Sequence, residues 1–179
     1  IQGSDQNTPV TIFEEACAYA NQKVYQAANS NPEYEGMGTT MVACTLQEDT
    51  LFVANIGDSR LYLLHEHLQQ ITNDHSLVEE MVKIGNLTES DARMHPQKNI
   101  ITRALGIDEE VQPDFFEIKV LPGDIILLCS DGLSNMVEDE DMEYLIRHTD
   151  SLEQAGDALV KRANANGGSD NITAVLVQV

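Results

Sequence analysis

Basic residues are scarce in this 179-residue chain. Five arginines and five lysines stand against 30 acidic residues, for a formal net charge of −20. A surface of that sign repels nucleic acid and anionic membranes, so neither is an expected partner. Divalent cations suit it far better, although most of the carboxylates need do no more than keep the protein soluble. Cysteine is sparse too. Cys17, Cys44 and Cys129 are odd in number, far apart and set among apolar neighbours. They show no C-x-x-C zinc spacing and read as buried, reduced thiols in a reducing, cytoplasmic compartment. No apolar run is long enough to cross a bilayer, and the first residues lack the layout of a secretory signal. Internal repeats and low-complexity tracts are absent as well. The chain opens on Ile1 instead of Met, as an excerpt or a processed product would.

What is present suits one domain. The length allows a sizeable core, and 42% of the residues are hydrophobic. Ile1 to Pro9 is polar and reads as a loose lead. Phe13, Ala16, Cys17, Ala20, Val24 and Ala27 then recur at helical spacing, predicting a helix over 11–29 that Asn29-Ser30-Asn31-Pro32 stops. Strands are expected at 39–46, 51–56, 60–64 and 68–72, forming an antiparallel meander that Gly57-Asp58-Ser59 interrupts. His65 and His67 fall at a hairpin tip and read as solvated surface histidines. Residues 73–106 change character: two short helices, the second capped by Thr88 with Asp91, make a mobile excursion from the sheet. Phe116, Ile118 and Val120 share one side of a strand at 115–120. Helices follow at 138–148 and 151–164, and Ile172 to Val179 is a last β-branched strand. Strands with helices grouped between them predict an α+β layered sandwich.

One stretch organises the rest. Pro122-Gly123 is a turn signal, and Asp124 to Ser130 reads as a strand whose Ile125–Cys129 run is apolar on both faces. Such a run belongs in the middle of a covered sheet. It ends at Ser130-Asp131-Gly132, where small neighbours let the backbone turn and a ligand approach.

Asp131 is not alone in that design. Asp58 lies in Gly57-Asp58-Ser59 and Asp170 in Ser169-Asp170-Asn171, each touching an apolar strand. If those strands are neighbours, three carboxylates converge at one edge. Like charges at contact distance near a protein surface repel by roughly 4 kcal/mol. Apart from Arg60, no basic residue follows in any of these turns. Two accounts therefore stand side by side: three unrelated Asx turns, or one cation site. Oxygen donors alone would select Mg²⁺ or Mn²⁺ over zinc, and the twelve-residue calcium-loop spacing is absent.

Six stretches together carry a resemblance. They are Gly36-Met37-Gly38-Thr39-Thr40, Val53–Arg60, Asp74-His75-Ser76-Leu77-Val78, Asn99–Gly106, Leu128–Leu133 and Gly168–Thr173. In this order the chain resembles the metal-dependent type 2C protein serine/threonine phosphatases, particularly the bacterial single-domain kind. The resemblance implies a four-layer αββα sandwich of two antiparallel sheets flanked by helices, incomplete at its N-terminus. It implies a hydrolase acting on phosphoserine and phosphothreonine, with two Mn²⁺ or Mg²⁺ ions and direct attack of a metal-bridging water. Asp131 and Asp170 match the family's metal ligands. Asp58 matches the aspartate that, with the equivalent of Asp131, holds a weaker third ion. Residues 74–103 match a flap bordering the substrate cleft near His75 and Ser76, and Arg60 is expected to brace its turn. Phosphoproteins are the implied substrates, with a cognate serine/threonine kinase as partner.

The family's opening portion has no match here. That portion carries an arginine for phosphate and an Asp-Gly-x-Gly-Gly-His segment whose aspartate bridges both metals. The expectation is therefore a piece inactive by itself, with exposed sheet edges. Two other readings stand beside it: a non-catalytic, phosphatase-like regulatory or binding module, and a metal-dependent hydrolase of small phosphate esters.

Overall fold

Near-continuous apolar runs along Leu51–Ile56 and Arg60–Leu64 give each strand two apolar faces, and the fold covers both. The computed structural model describes residues 8–179. Strands β1 (Met41–Gln47), β2 (Thr50–Ile56) and β5 (Asp114–Lys119) make one antiparallel sheet, ordered β1-β2-β5. Strands β3 (Arg60–Leu64), β4 (Leu68–Gln70), β6 (Ile125–Cys129) and β7 (Ala174–Gln178) make a second, ordered β4-β3-β6-β7.

The core divides as two facing sheets require. Leu51 and Val53 of β2 meet Leu61, Leu63 and Ile126 of the second sheet in the layer between them. The opposite face of β2, Ala54 and Ile56, packs on Cys17, Phe13 and Ala20 of α1 (Pro9–Ser30). The opposite face of the second sheet, Tyr62, Leu64, Leu127 and Cys129, packs on Met142 and Ile146 of α5 (Asp139–Arg147) and on Leu159 and Ala163 of α6 (Leu152–Ala165). Helix, sheet, sheet, helix: the four-layer α+β sandwich is the observed architecture. β6 is an interior strand with core on each face, as its unbroken apolar run requires. Leu127 is fully buried, and burying one leucine is worth roughly 1.5–3 kcal/mol.

The meander expectation is wrong at one point. β2 and β3 do not belong to a single sheet: the chain leaves the first sheet at Ile56 and enters the second at Arg60. Gly57-Asp58-Ser59 is thus the crossing between sheets, and both flanking strands are apolar enough to mimic one interrupted strand. On α1, Ala16 faces solvent and the buried polar residue is Asn21. Its side chain donates to the carbonyls of Asp108 and Glu109 and accepts from the Gly106 N–H, fixing the loop before β5. α1 begins at Pro9 with Thr8 as its cap, and the rest of the expected loose lead lies outside the described residues.

Between β4 and β5 the excursion holds α2 (Leu77–Lys83) and α3 (Glu89–Met94), capped by Ser76 and Thr88. Its ends are joined, Leu77 N–H to the Ile100 carbonyl and Thr102 N–H to the His75 carbonyl. At the far end of the second sheet His67 is exposed, but His65 is not merely solvated. Its Nδ1 lies 2.6 Å from the Asp124 carboxylate, which is itself buried. Cys17 and Cys129 are buried and Cys44 half-buried, all three unpaired. No helix among the described residues is long and apolar enough to cross a membrane.

Candidate functional site

Strand register brings the three aspartates to one end of the second sheet. Arg60 pairs with Cys129, and Cys129 pairs with Ala174. Asp58 precedes Arg60 by two residues, Asp131 follows Cys129 by two, and Asp170 precedes Ala174 by four. β3, β6 and β7 are adjacent, so all three turns open on the same edge.

Each turn is held differently. At Asp131 the chain enters a one-turn helix, α4 (Asp131–Ser134), unforeseen from sequence. Ser130 is its N-cap but does not cap through its side chain. Its hydroxyl donates to the Asn171 carbonyl at 3.1 Å and accepts from the Thr173 N–H at 3.0 Å. Together with the Ser130 N–H to the Thr173 carbonyl, this laces the Asp131 turn to the Asp170 loop. At Asp58 the preceding Gly57 adopts φ +104, and its α-carbon faces the Thr40 side chain so closely that a Cβ would overlap it. Only glycine serves there.

The electrostatics follow from burial and crowding. Burial, then the charges of Asp131 and Asp74, push the Asp58 carboxyl up to about 6. Burial and the charge of Asp170 raise Asp131 above the ordinary carboxylate range. The nearest cation does little for them, because Arg60 is committed elsewhere. Its guanidinium forks onto both oxygens of Asp74, at 2.8–3.1 Å, and donates to the Tyr62 hydroxyl at 2.9 Å. Arg60 braces its turn, as expected. Burial pushes the Cys129 thiol up to about 12, so it is no nucleophile.

Asp58 and Asp131 line a cleft of about 450 Å³ that runs beneath α2 and α3. Asp170 does not line it. Its Oδ1 instead accepts the Asn171 N–H at 2.7 Å, and Asp131 Oδ2 accepts from Asn135 Nδ2 at 3.3 Å. Among the described residues no three Asp, Glu, His or Cys side chains surround a point that could hold a metal ion. The carboxylates feel one another in pairs: the charge of Asp170 raises Asp131, and that of Asp131 raises Asp58. The set is all oxygen, Asp58 and Asp131 are raised, and among the described residues none of the three carboxylates is paired with a side-chain cation, which fits a hard divalent cation. Of the flap residues singled out from sequence, Ser76 lines the cleft, while His75 is buried against Gly57 and does not. Asn55 and Asp74, which the sequence offered only inside matching stretches and without a role, also support the site, as does Asp114, which it did not single out.

Comparison with known proteins adds identity to this geometry. The chain matches the family model described as Protein phosphatase 2C over residues 3–172. The serine/threonine phosphatase stp of Listeria monocytogenes serovar 1/2a is 43% identical over 159 residues, covering 88% of this chain and 63% of the relative. The chain thus spans less than two thirds of that relative's length. The crystal structure of the serine/threonine phosphatase Stp1 from Staphylococcus aureus superposes with a TM-score of 0.94 at 36% identity, covering 100% of this chain and 71% of that one. The catalytic domain of the serine/threonine protein phosphatase PstP, solved in complex with 2 manganese ions, superposes with a TM-score of 0.87 at 32% identity, covering 98% and 74%.

Proposed function

Because this chain belongs to the protein phosphatase 2C family, we propose that it forms the greater part of a metal-dependent phosphatase hydrolysing phosphoserine and phosphothreonine in proteins. The carrying observation is that strand register brings the Asp58, Asp131 and Asp170 turns to one end of the second sheet while Arg60 is tied to Asp74. Asp131 and Asp170 would hold the ions that the manganese-bound relative has in its own site, and Asp58 with Asp131 a weaker third. Mn²⁺ or Mg²⁺ there supplies water activation and charge neutralisation on a phosphoryl group.

The chain's own residues prepare that site. Ser130 and Asn171 hold the Asp131 and Asp170 turns at a fixed spacing. Gly57 and Thr40 fix the turn that presents Asp58. The Arg60–Asp74 fork keeps a guanidinium beside the carboxylates without neutralising them. The flap helices roof the cleft through Ser76, Glu79 and Arg93, where a phosphorylated peptide would lie. Arg93 itself reaches across to Glu138 and Asp139. Phosphoproteins are the substrates, a serine/threonine kinase is the opposing partner, and the three unpaired thiols favour the cytoplasm.

Manganese-dependent release of phosphate from a phosphothreonine peptide by the full-length protein tests this. Turnover is expected with Mn²⁺, to vanish with chelator, and to be lost in Asp131→Asn. Undiminished turnover in that variant would overturn the assignment, and activity confined to free phosphate monoesters would overturn the protein-substrate part.

A further inference from the structure

His75 is a buried residue near the site, held on several sides, that the proposed chemistry does not use. It is 5% exposed and grips Gly57 at two points. The His75 N–H donates to the Gly57 carbonyl at 2.9 Å, and the ring Nδ1 accepts the Gly57 N–H at 3.0 Å. Because Nδ1 accepts, the proton of the neutral ring must sit on Nε2. That nitrogen faces an acceptor, Asp114 Oδ2, at 3.1 Å. Arg103 lies beside both, donating to Asp114 Oδ1 at 2.8 Å and to the Gln112 carbonyl at 2.7 Å. Burial keeps the imidazole neutral, since it pushes His75 below its ordinary pKa. The hydrogen bonds from His75 and Arg103 hold Asp114 below the carboxylate range although burial opposes them.

The residue after Gly57 is Asp58. A backbone held at both its N–H and its C=O, at φ +104 where other residues are strained, has little freedom to swing the next side chain. Asn55 adds to the grip. Its Nδ2 donates to the Gly57 carbonyl at 3.3 Å and to the Asn73 carbonyl at 3.0 Å, joining the two segments again. His75 also begins the flap, and its carbonyl accepts from Thr102 N–H, where the flap returns. One residue therefore ties these segments together: its ring holds the Gly57 N–H and Asp114 of β5, and its backbone holds the Gly57 carbonyl and the returning end of the flap.

We propose that His75, oriented by Asp114, is a positioning residue that sets the Asp58 carboxylate through Gly57 and couples it to the base of the flap. This rests on Asp58 being an ion-binding residue, as proposed above. It is distinct from that reading, because His75 touches neither substrate nor ion. Histidine serves here because it offers an acceptor and a donor on opposite sides of one rigid ring. Asparagine reproduces the Nδ1-side acceptor, whereas glutamine reaches the Nε2 side alone.

The test compares His75→Asn and His75→Gln in the full-length protein, each alone and combined with Asp58→Asn. In metal-free protein, Gly57 amide exchange by NMR should be slow in wild type, intermediate in His75→Asn and fast in His75→Gln. Removing such supporting partners typically costs 10–100-fold in metal affinity or activity. His75→Gln should accordingly raise the half-saturating manganese concentration about tenfold, His75→Asn clearly less, and neither should add to the effect of Asp58→Asn. A full additional loss in the double variant, or equal losses in the two His75 variants, overturns the proposal. Should Asp58→Asn alone leave the manganese response unchanged, the ion-binding role of Asp58 falls instead. A merely structural histidine would lower the melting temperature without this order or this non-additivity.

Discussion

The α-carbon of Gly132 faces the carbonyl oxygen of Asn171 so closely that a Cβ there would overlap it. This contact sets the spacing between the turns that bear Asp131 and Asp170. Gly132 has ordinary helical surroundings, so its need for glycine is steric. Gly132→Ala should push the Asp170 loop outward, destabilise the fold by about 1–3 kcal/mol, and weaken manganese binding. Thermal unfolding with and without Mn²⁺ checks both, and an unchanged manganese response would detach the spacing from the site.

The Arg60–Asp74 fork is mostly buried, with side chains 20% and 13% exposed. Breaking such a pair leaves a buried carboxylate without its partner. Arg60→Gln should therefore cost about 3 kcal/mol, while Arg60→Lys keeps the charge, loses the fork and falls between. Denaturant unfolding of the two variants measures the order. Equal stability of Arg60→Gln and wild type would show that the fork does not brace the turn.

How much of this was legible in the sequence depends on how local the cause is. The unbroken Ile125–Cys129 run announced an interior strand, because burial on both faces leaves no alternation. The Thr88–Asp91 cap and the helix over Leu152–Ala165 were equally local and were read within a residue or so. The three aspartates were visible as a repeated turn design, but their convergence needed strand adjacency, which the register supplies. The change of sheet at Gly57 was invisible, since β2 and β3 are apolar on both faces whichever sheet they join. His75 was read only as part of a flap. Its partners, Gly57 and Asp114, are 18 and 39 positions away, and no periodicity records such a bond.

A second charged clasp gives a pH prediction. His65 is held above its ordinary value by its bond to Asp124 and by that carboxylate's charge. Asp124 is lowered, because bonds from the Leu121 N–H and His65 outweigh its burial. For a histidine raised on folding, stabilisation is full below its unfolded value near 6.5 and fades as pH rises through the folded value. For the lowered carboxylate, it is present above the unfolded value near 3.9 and lost on acidification. Asp124→Asn should thus lower the melting temperature more at pH 5.5 than at pH 8.5. An equal drop at both would assign the effect to the Leu121 bond alone.

Manganese stabilisation of the Asp131→Asn variant tests the central claim most directly, namely that crowded carboxylates at one sheet edge require divalent cations. In chelator, the variant should melt no lower than wild type, since one repelling charge is gone. With Mn²⁺ at a hundred times its dissociation constant, wild type should gain about 2.7 kcal/mol and the variant far less. Equal gains in both proteins, or none in wild type, would contradict the account.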